Sequence, residues 1–157
     1  MKDDKTTEHD GKAVTKRSTF SRETSVAINI KAEPSVVWSL LTNAGDYSRW
    51  DTTVISIEGK IALGEKIKLR STLAPEKTFK LTVKEVEEGK KLVWGDAMGQ
   101  RTYTLSKNDS GTNFSMNEKI GGPLFPLFAR MIPPFDKAFE QFAADLKKEA
   151  EALKNSK

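Results

Sequence analysis

The sequence predicts an α+β fold in which a curved antiparallel sheet of seven strands grips one long C-terminal helix. Two observations carry this reading. From Thr53 to Ile120, apolar and polar side chains alternate in short runs separated by glycine- and proline-containing turns, the period-two signature of half-buried strands. Beyond them, Phe135, Ala138, Phe139, Phe142, Ala143, Leu146, Ala150 and Leu153 fall on one face at helical spacing, with charged residues on the other. At 1.5 Å per residue such a helix spans roughly 30 Å, enough to cross a domain. Its apolar face must be covered, and the apolar face of the sheet is the available cover.

Taken in order, residues 1–18 are polar and aperiodic and read as a flexible tail, leaving 19–157 as a single domain. Thr24, Val26, Ile28 and Ile30 alternate along the first strand. Pro34 suits the first turn of a helix, where its missing N–H costs nothing. Val37, Trp38, Leu40 and Leu41 supply that helix with an apolar side, and Gly45 is placed to stop it. Asp46–Trp50 makes a second short helical piece. Six strands follow: Val54–Glu58, Lys66–Leu73, a run through Phe79, Leu81 and Val83, a short one with Leu92 and Trp94, one with Arg101, Tyr103 and Leu105, and a last from Thr112 to Ile120. Asn108–Gly111 is a hairpin turn. Gly121–Pro134, rich in proline and apolar residues, cannot form a long helix, although one turn fits Leu127–Met131.

Composition narrows the chemistry. The 157 residues carry a net charge of +4 with acids and bases interspersed, and the one local basic cluster is Lys12, Lys16 and Arg17 in the tail, so nucleic acid is not an expected partner. No run approaches the ~20 consecutive apolar residues of a membrane span. The N-terminal region lacks the apolar core of a signal peptide, and a cytoplasmic location without stable membrane insertion is expected. Cysteine is absent and the sole histidine, His9, falls in the tail. A Ser-His-Asp or Cys-His mechanism therefore lacks its imidazole, and neither a metal site nor a cofactor is expected. Any proton transfer falls to Glu, Asp, Tyr, Lys or Arg.

Strand parity singles out a polar pair. Arg101 shares a face with Tyr103 and Leu105, and Glu118 shares one with Phe114 and Met116. The four-residue turn at Asn108–Gly111 sets a register that brings Arg101 opposite Glu118 and Tyr103 opposite Met116. The pair then orients a ligand or, alternatively, is a cross-strand ion pair near the sheet edge. Trp94, Leu69, Leu81, Tyr103, Phe114, Phe135, Phe139 and Phe142 are candidates for the wall of an interior space or for plain core. Leu124, Phe125, Leu127, Phe128 and Met131 cluster in the irregular segment, which reads as a gate, as a cover on the sheet edge, or as a subunit contact or membrane-surface dip, although Arg130 and its basic neighbours along the chain are too few to favour an anionic membrane.

These residues also resemble a family. Ile30-Lys31-Ala32-Glu33-Pro34 running into Val37, Trp38 and Leu41, then Tyr47 with Trp50, Gly59 and Gly64, Leu92 with Trp94, Gly111-Thr112 leading to Phe114 and Glu118, and the Leu146–Glu151 stretch of the final helix are similar in order and spacing to the START-like, birch-pollen-allergen-like (SRPBCC) superfamily. The resemblance is greatest to bacterial polyketide cyclase/dehydratase and lipid-transport-like proteins, and covers about residues 23–154. It implies a helix-grip fold with an internal apolar cavity that binds a lipid, polyketide or other apolar molecule. The resulting expectation is a monomeric or weakly dimeric carrier. Its ligand-binding candidates are Leu69, Leu81, Trp94, Arg101, Tyr103, Phe114, Glu118, Phe128, Met131, Phe135, Phe139 and Phe142. The alternatives are a metal-free cyclase, aromatase or dehydratase using Glu118, Tyr103 and Arg101, and a protein-interaction module.

Overall fold

The computed structural model describes residues 10–155. Its eight strands are β1 (Val14–Arg17), β2 (Ser21–Ile30), β3 (Val54–Glu58), β4 (Lys66–Ser71), β5 (Phe79–Glu87), β6 (Lys91–Gly95), β7 (Gly99–Asn108) and β8 (Gly111–Gly121). Between β2 and β3 lie α1 (Pro34–Thr42), a 3-10 turn (Ala44–Asp46) and α2 (Tyr47–Trp50). After β8 come α3 (Phe125–Phe128), a second 3-10 turn (Ala129–Met131) and the long α4 (Asp136–Asn155). One antiparallel sheet has the order β1-β2-β8-β7-β6-β5-β4-β3.

All seven strands expected from periodicity are present. The eighth, β1, falls within the stretch read as a tail to residue 18. Its four residues have no apolar alternation. They are held by a ladder to β2 and by two contacts to α4: Ala13 N–H donates to Glu140 Oε2 at 2.9 Å, and Thr15 Oγ1 donates to Asp136 Oδ1 at 2.7 Å. Partners more than a hundred residues away leave no trace in local periodicity. Gly45 does not stop α1 either. The helix ends at Thr42, where Asn43 turns extended, and Gly45 sits inside the 3-10 turn that follows.

The core lies between the inner face of the sheet and α4. Inner positions of β2 (Val26, Ile28, Ile30), β7 (Tyr103, Leu105) and β8 (Phe114, Met116) are buried, as are Phe139, Phe142, Ala143, Leu146 and Ala150 of the helix. α4 runs alongside β2. The Arg22 guanidinium lies 4.8 Å from the Phe135 ring centroid, Lys147 Nζ donates to the Asn29 carbonyl at 3.1 Å, and Lys31 N–H donates to Glu151 Oε2 at 2.8 Å. The two short helices close the other flank. Tyr47 Oη donates to the Leu41 carbonyl at 2.6 Å, the Arg49 guanidinium pairs with Glu149 at 2.8 Å, and Asp145 Oδ2 accepts from Thr52 N–H. Shifts of register at Val54/Ser56 and Val83/Glu85 bend the sheet around the helix.

Candidate functional site

Register divides the inner face into rows that run across the strands. Leu92, Tyr103, Met116 and Val26 form one row, and Leu105, Phe114 and Ile28 the next, all buried and nearly all hydrocarbon. The row on the other side of Tyr103 differs. It passes from Val83 and Trp94 through Arg101, Glu118 and Thr24 to Thr15. Polar groups thus interrupt an apolar surface along one line, beneath the N-terminal end of α4.

Arg101 and Glu118 meet as the hairpin register predicts. Arg101 Nε donates to Glu118 Oε1 at 2.6 Å, with the two side chains 20% and 17% exposed. The guanidinium lies over Phe139, with Cζ 5.0 Å from the ring centroid. Burial alone would lower the pKa of Arg101, but Glu118 and Tyr103 together outweigh it and hold the pKa above the ordinary arginine value. Burial pushes the Tyr103 phenol up to about 12, with Arg101 partly opposing, so the phenol stays protonated at neutral pH.

One row further out, Arg22 opposes Ile120 and is almost fully buried. Its Nη1 donates to the Ile132 carbonyl at 3.1 Å and its Nη2 to the Pro133 carbonyl at 2.8 Å. Burial lowers its pKa, with repulsion from Arg17 acting the same way. Nε of Arg22 is buried without a hydrogen-bond partner. Thr24 Oγ1 is hydrogen-bonded to Thr15 Oγ1, which in turn donates to Asp136. Arg22, Thr24 and Asp136 were not among the sequence candidates. The parity that puts Val26 and Ile28 inside puts Arg22 and Thr24 there too.

The centre of the expected hollow is occupied. Tyr103 packs against Trp94, Phe114 and Phe142 with ring centroids 5.1, 6.2 and 5.8 Å away, and Phe142 continues the cluster to Trp50 and Tyr47. Trp94, Phe114, Phe139 and Phe142 are therefore core side chains in this structure, and Leu69 is buried with them. Leu81 and Phe135 are only half-buried, near the polar row. Phe128 and Met131, expected at the pocket, face outward at 39% and 77% exposure, because Phe125 takes the one inward position of their turn. His9 lies outside the described residues. Two depressions lie on the opposite face of the sheet: a shallow groove of about 620 Å³ along Glu23, Gln100, Thr102 and Asn117, and a smaller one of about 230 Å³ beside Val14 and Lys16.

A second buried polar group stands on the far flank. Asp51 is 2% exposed, and its Oδ1 accepts from both Thr53 N–H and Thr53 Oγ1, while Oδ2 has no partner. Burial raises its pKa to about 6 against the opposing Thr53 hydrogen bonds, and Asp145 adds to the rise.

Solved structures share this architecture. A protein of Mesorhizobium loti is 21% identical over 83% of this chain and 98% of its own, with a TM-score of 0.67. One of Nitrosomonas europaea is 13% identical over 89% and 99%, with a TM-score of 0.68. One of Rhodobacter sphaeroides is 17% identical over 90% and 99%, with a TM-score of 0.65. At such identities they establish the fold alone. No curated protein matches this sequence. Among the described residues no helix is long and apolar enough to cross a membrane. Residues 21–151 match the model of the polyketide cyclase/dehydrase and lipid transport family, and with the sheet wrapped around α4 as described, the chain belongs to that family.

Proposed function

We propose that the protein binds a small apolar molecule at the polar-row end of the space between sheet and α4. The observation that carries the reading is the row itself. Arg101, Glu118 and Thr24 stand on an otherwise hydrocarbon face, bounded by Trp94, Tyr103 and Phe139. A few fixed polar groups within an apolar wall are how ligand sites orient a mostly apolar guest. The roof at this end is the irregular 122–134 segment, held to the sheet by Arg22 through two carbonyls. Because the aromatic cluster fills the centre, entry requires that roof to lift and Phe135 to turn aside. Apolar burial then supplies affinity at about 25 cal/mol per Å².

The cyclase reading finds less support. A general base works best with a pKa near the operating pH. Burial pushes the Tyr103 phenol up to about 12, far from neutral pH, and Glu118 Oε1 is already occupied by the Arg101 guanidinium. The pair suits recognition of a carbonyl or hydroxyl rather than proton abstraction. Titration with a fluorescent fatty acid or ANS, followed by native mass spectrometry after incubation with a lipid extract, tests the reading. One apolar molecule per chain is expected. Complete absence of uptake overturns it, as does a Glu118→Gln variant that keeps affinity but loses turnover of a polyketide-like substrate.

A further inference from the structure

Three chain segments meet at one tip of the molecule. Gly122 N–H donates to the Phe20 carbonyl at 3.0 Å, and Gly121 N–H donates to the Met98 carbonyl at 2.9 Å. These bonds tie the turn between β1 and β2 and the turn between β6 and β7 to the start of the 122–134 segment. Phe20, Met98, Leu124, Leu127, Phe128 and Met131 all stand exposed on these segments, by 39% to 77%. Leu124, Leu127, Phe128 and Met131 follow the spacing i, i+3, i+4, i+7, which is one face of a helical turn. An amphipathic helix ordinarily turns such a face to the core. Here Phe125 points inward and the stripe points out. Exposed apolar side chains gathered on joined segments in this way point to an interaction site.

The charges around the tip are mostly positive. Arg130 lies between Phe128 and Met131 along the chain, and Arg17 ends β1, next to the turn that holds Phe20. Lys84 and Lys119 line the groove that Phe20 and Met98 border. None of these four makes an ion pair among the described residues. Two carboxylates, Glu23 and Asp96, line the same groove and are hydrogen-bonded to neutral donors, so cations at the tip outnumber anions by four to two. Glu23 Oε2 accepts from Asn117, and Asp96 Oδ1 accepts from the N–H groups of Met98 and Gly99.

We propose that this tip docks on an anionic lipid surface, the apolar stripe entering the headgroup boundary and the four cations resting against lipid phosphates. Charge selects this occupant. A second copy docking by the same tip would bring an excess of cations onto itself, whereas a phosphate-bearing surface is complementary to that excess. An apolar stripe with a cationic rim is the arrangement that lies in the interface plane without spanning it. The inference stands whether or not the interior takes a ligand.

Sedimentation of the full chain with phosphatidylcholine vesicles and with vesicles that also contain phosphatidylglycerol tests it. The chain should bind the anionic vesicles, and added salt should weaken binding. Leu127→Asp combined with Met131→Asp should lower partitioning about tenfold or more. Arg130→Glu with Lys119→Glu should remove the preference for phosphatidylglycerol. Phe20→Ser with Met98→Ser, on the two other segments, should weaken binding as well. These side chains are exposed, so melting temperatures should hold, and native mass spectrometry of the chain incubated with fatty acid in the absence of vesicles reads interior uptake separately. A chain that stays in the supernatant with both vesicle types overturns the proposal. So does undiminished partitioning of the aspartate pair, or a dimer that the aspartate pair dissociates, which would assign the tip to a second copy.

Discussion

Arg101 Nε donates to Glu118 Oε1 at 2.6 Å across β7 and β8, within a row that carries polar groups through an apolar face. Removing one partner leaves the other charge half-enclosed. Glu118→Gln should lower stability by about 1–3 kcal/mol, the part-exposed end of the range for broken enclosed pairs. Replacing both, as Arg101→Met with Glu118→Leu, should cost less than the sum of the single changes. Urea denaturation of the double-mutant cycle checks the coupling.

Asp51 predicts a pH dependence. Its folded pKa of about 6 lies above the ordinary aspartate value of 3.8. The folded state therefore holds the proton more tightly than the unfolded state. The contribution is fully present below about pH 4 and is lost as pH rises through 6, amounting to about 3 kcal/mol. Denaturant titrations from pH 4 to 8 should show this fall in the wild type. Asp51→Asn should flatten it, because the amide still accepts from Thr53 but cannot ionise.

Arg22 should control the roof. Arg22→Met removes two charge-assisted hydrogen bonds, to the Ile132 and Pro133 carbonyls, and the contact with Phe135. Hydrogen exchange should rise selectively over residues 122–134, with local protection falling by about 2–4 kcal/mol. Amides of β7 and β8 around Tyr103 should keep theirs. If they lose protection equally, Arg22 is a general structural residue rather than a latch.

Phe142 sits at the centre of the aromatic cluster, against Tyr47, Trp50, Tyr103 and Phe114. Phe142→Ala should cost about 3–5 kcal/mol and leave a dry void. Apolar probes should then bind the variant more tightly than the wild type and return part of the lost stability, measured as a ligand-dependent rise in melting temperature.

At Gly111 the backbone turns with φ of +142°, and an added Cβ would lie 2.3 Å from the Ile30 carbonyl oxygen. Gly111→Ala should therefore destabilise by about 2 kcal/mol or more, by conformation and collision together. Thermal melting checks it.

Much of this molecule was legible along the chain. Alternation around Ile28, Leu69, Tyr103 and Phe114 determined the strands, and the Phe139–Leu153 stripe determined the long helix. The length of the Asn108–Gly111 turn was enough to set Arg101 against Glu118. These are local quantities: a side chain's neighbours two or four residues away decide which way it faces. Tertiary structure alone decided that β1 forms, because Thr15 and Ala13 find Asp136 and Glu140 on α4. It also decided that Trp94, Tyr103 and Phe142 close over the middle of the interior, and that Leu127 and Met131 face water while Phe125 does not. Periodicity reports which side of an element is apolar. How much volume two such sides must share, and which of them finds a partner, is settled only when the elements meet.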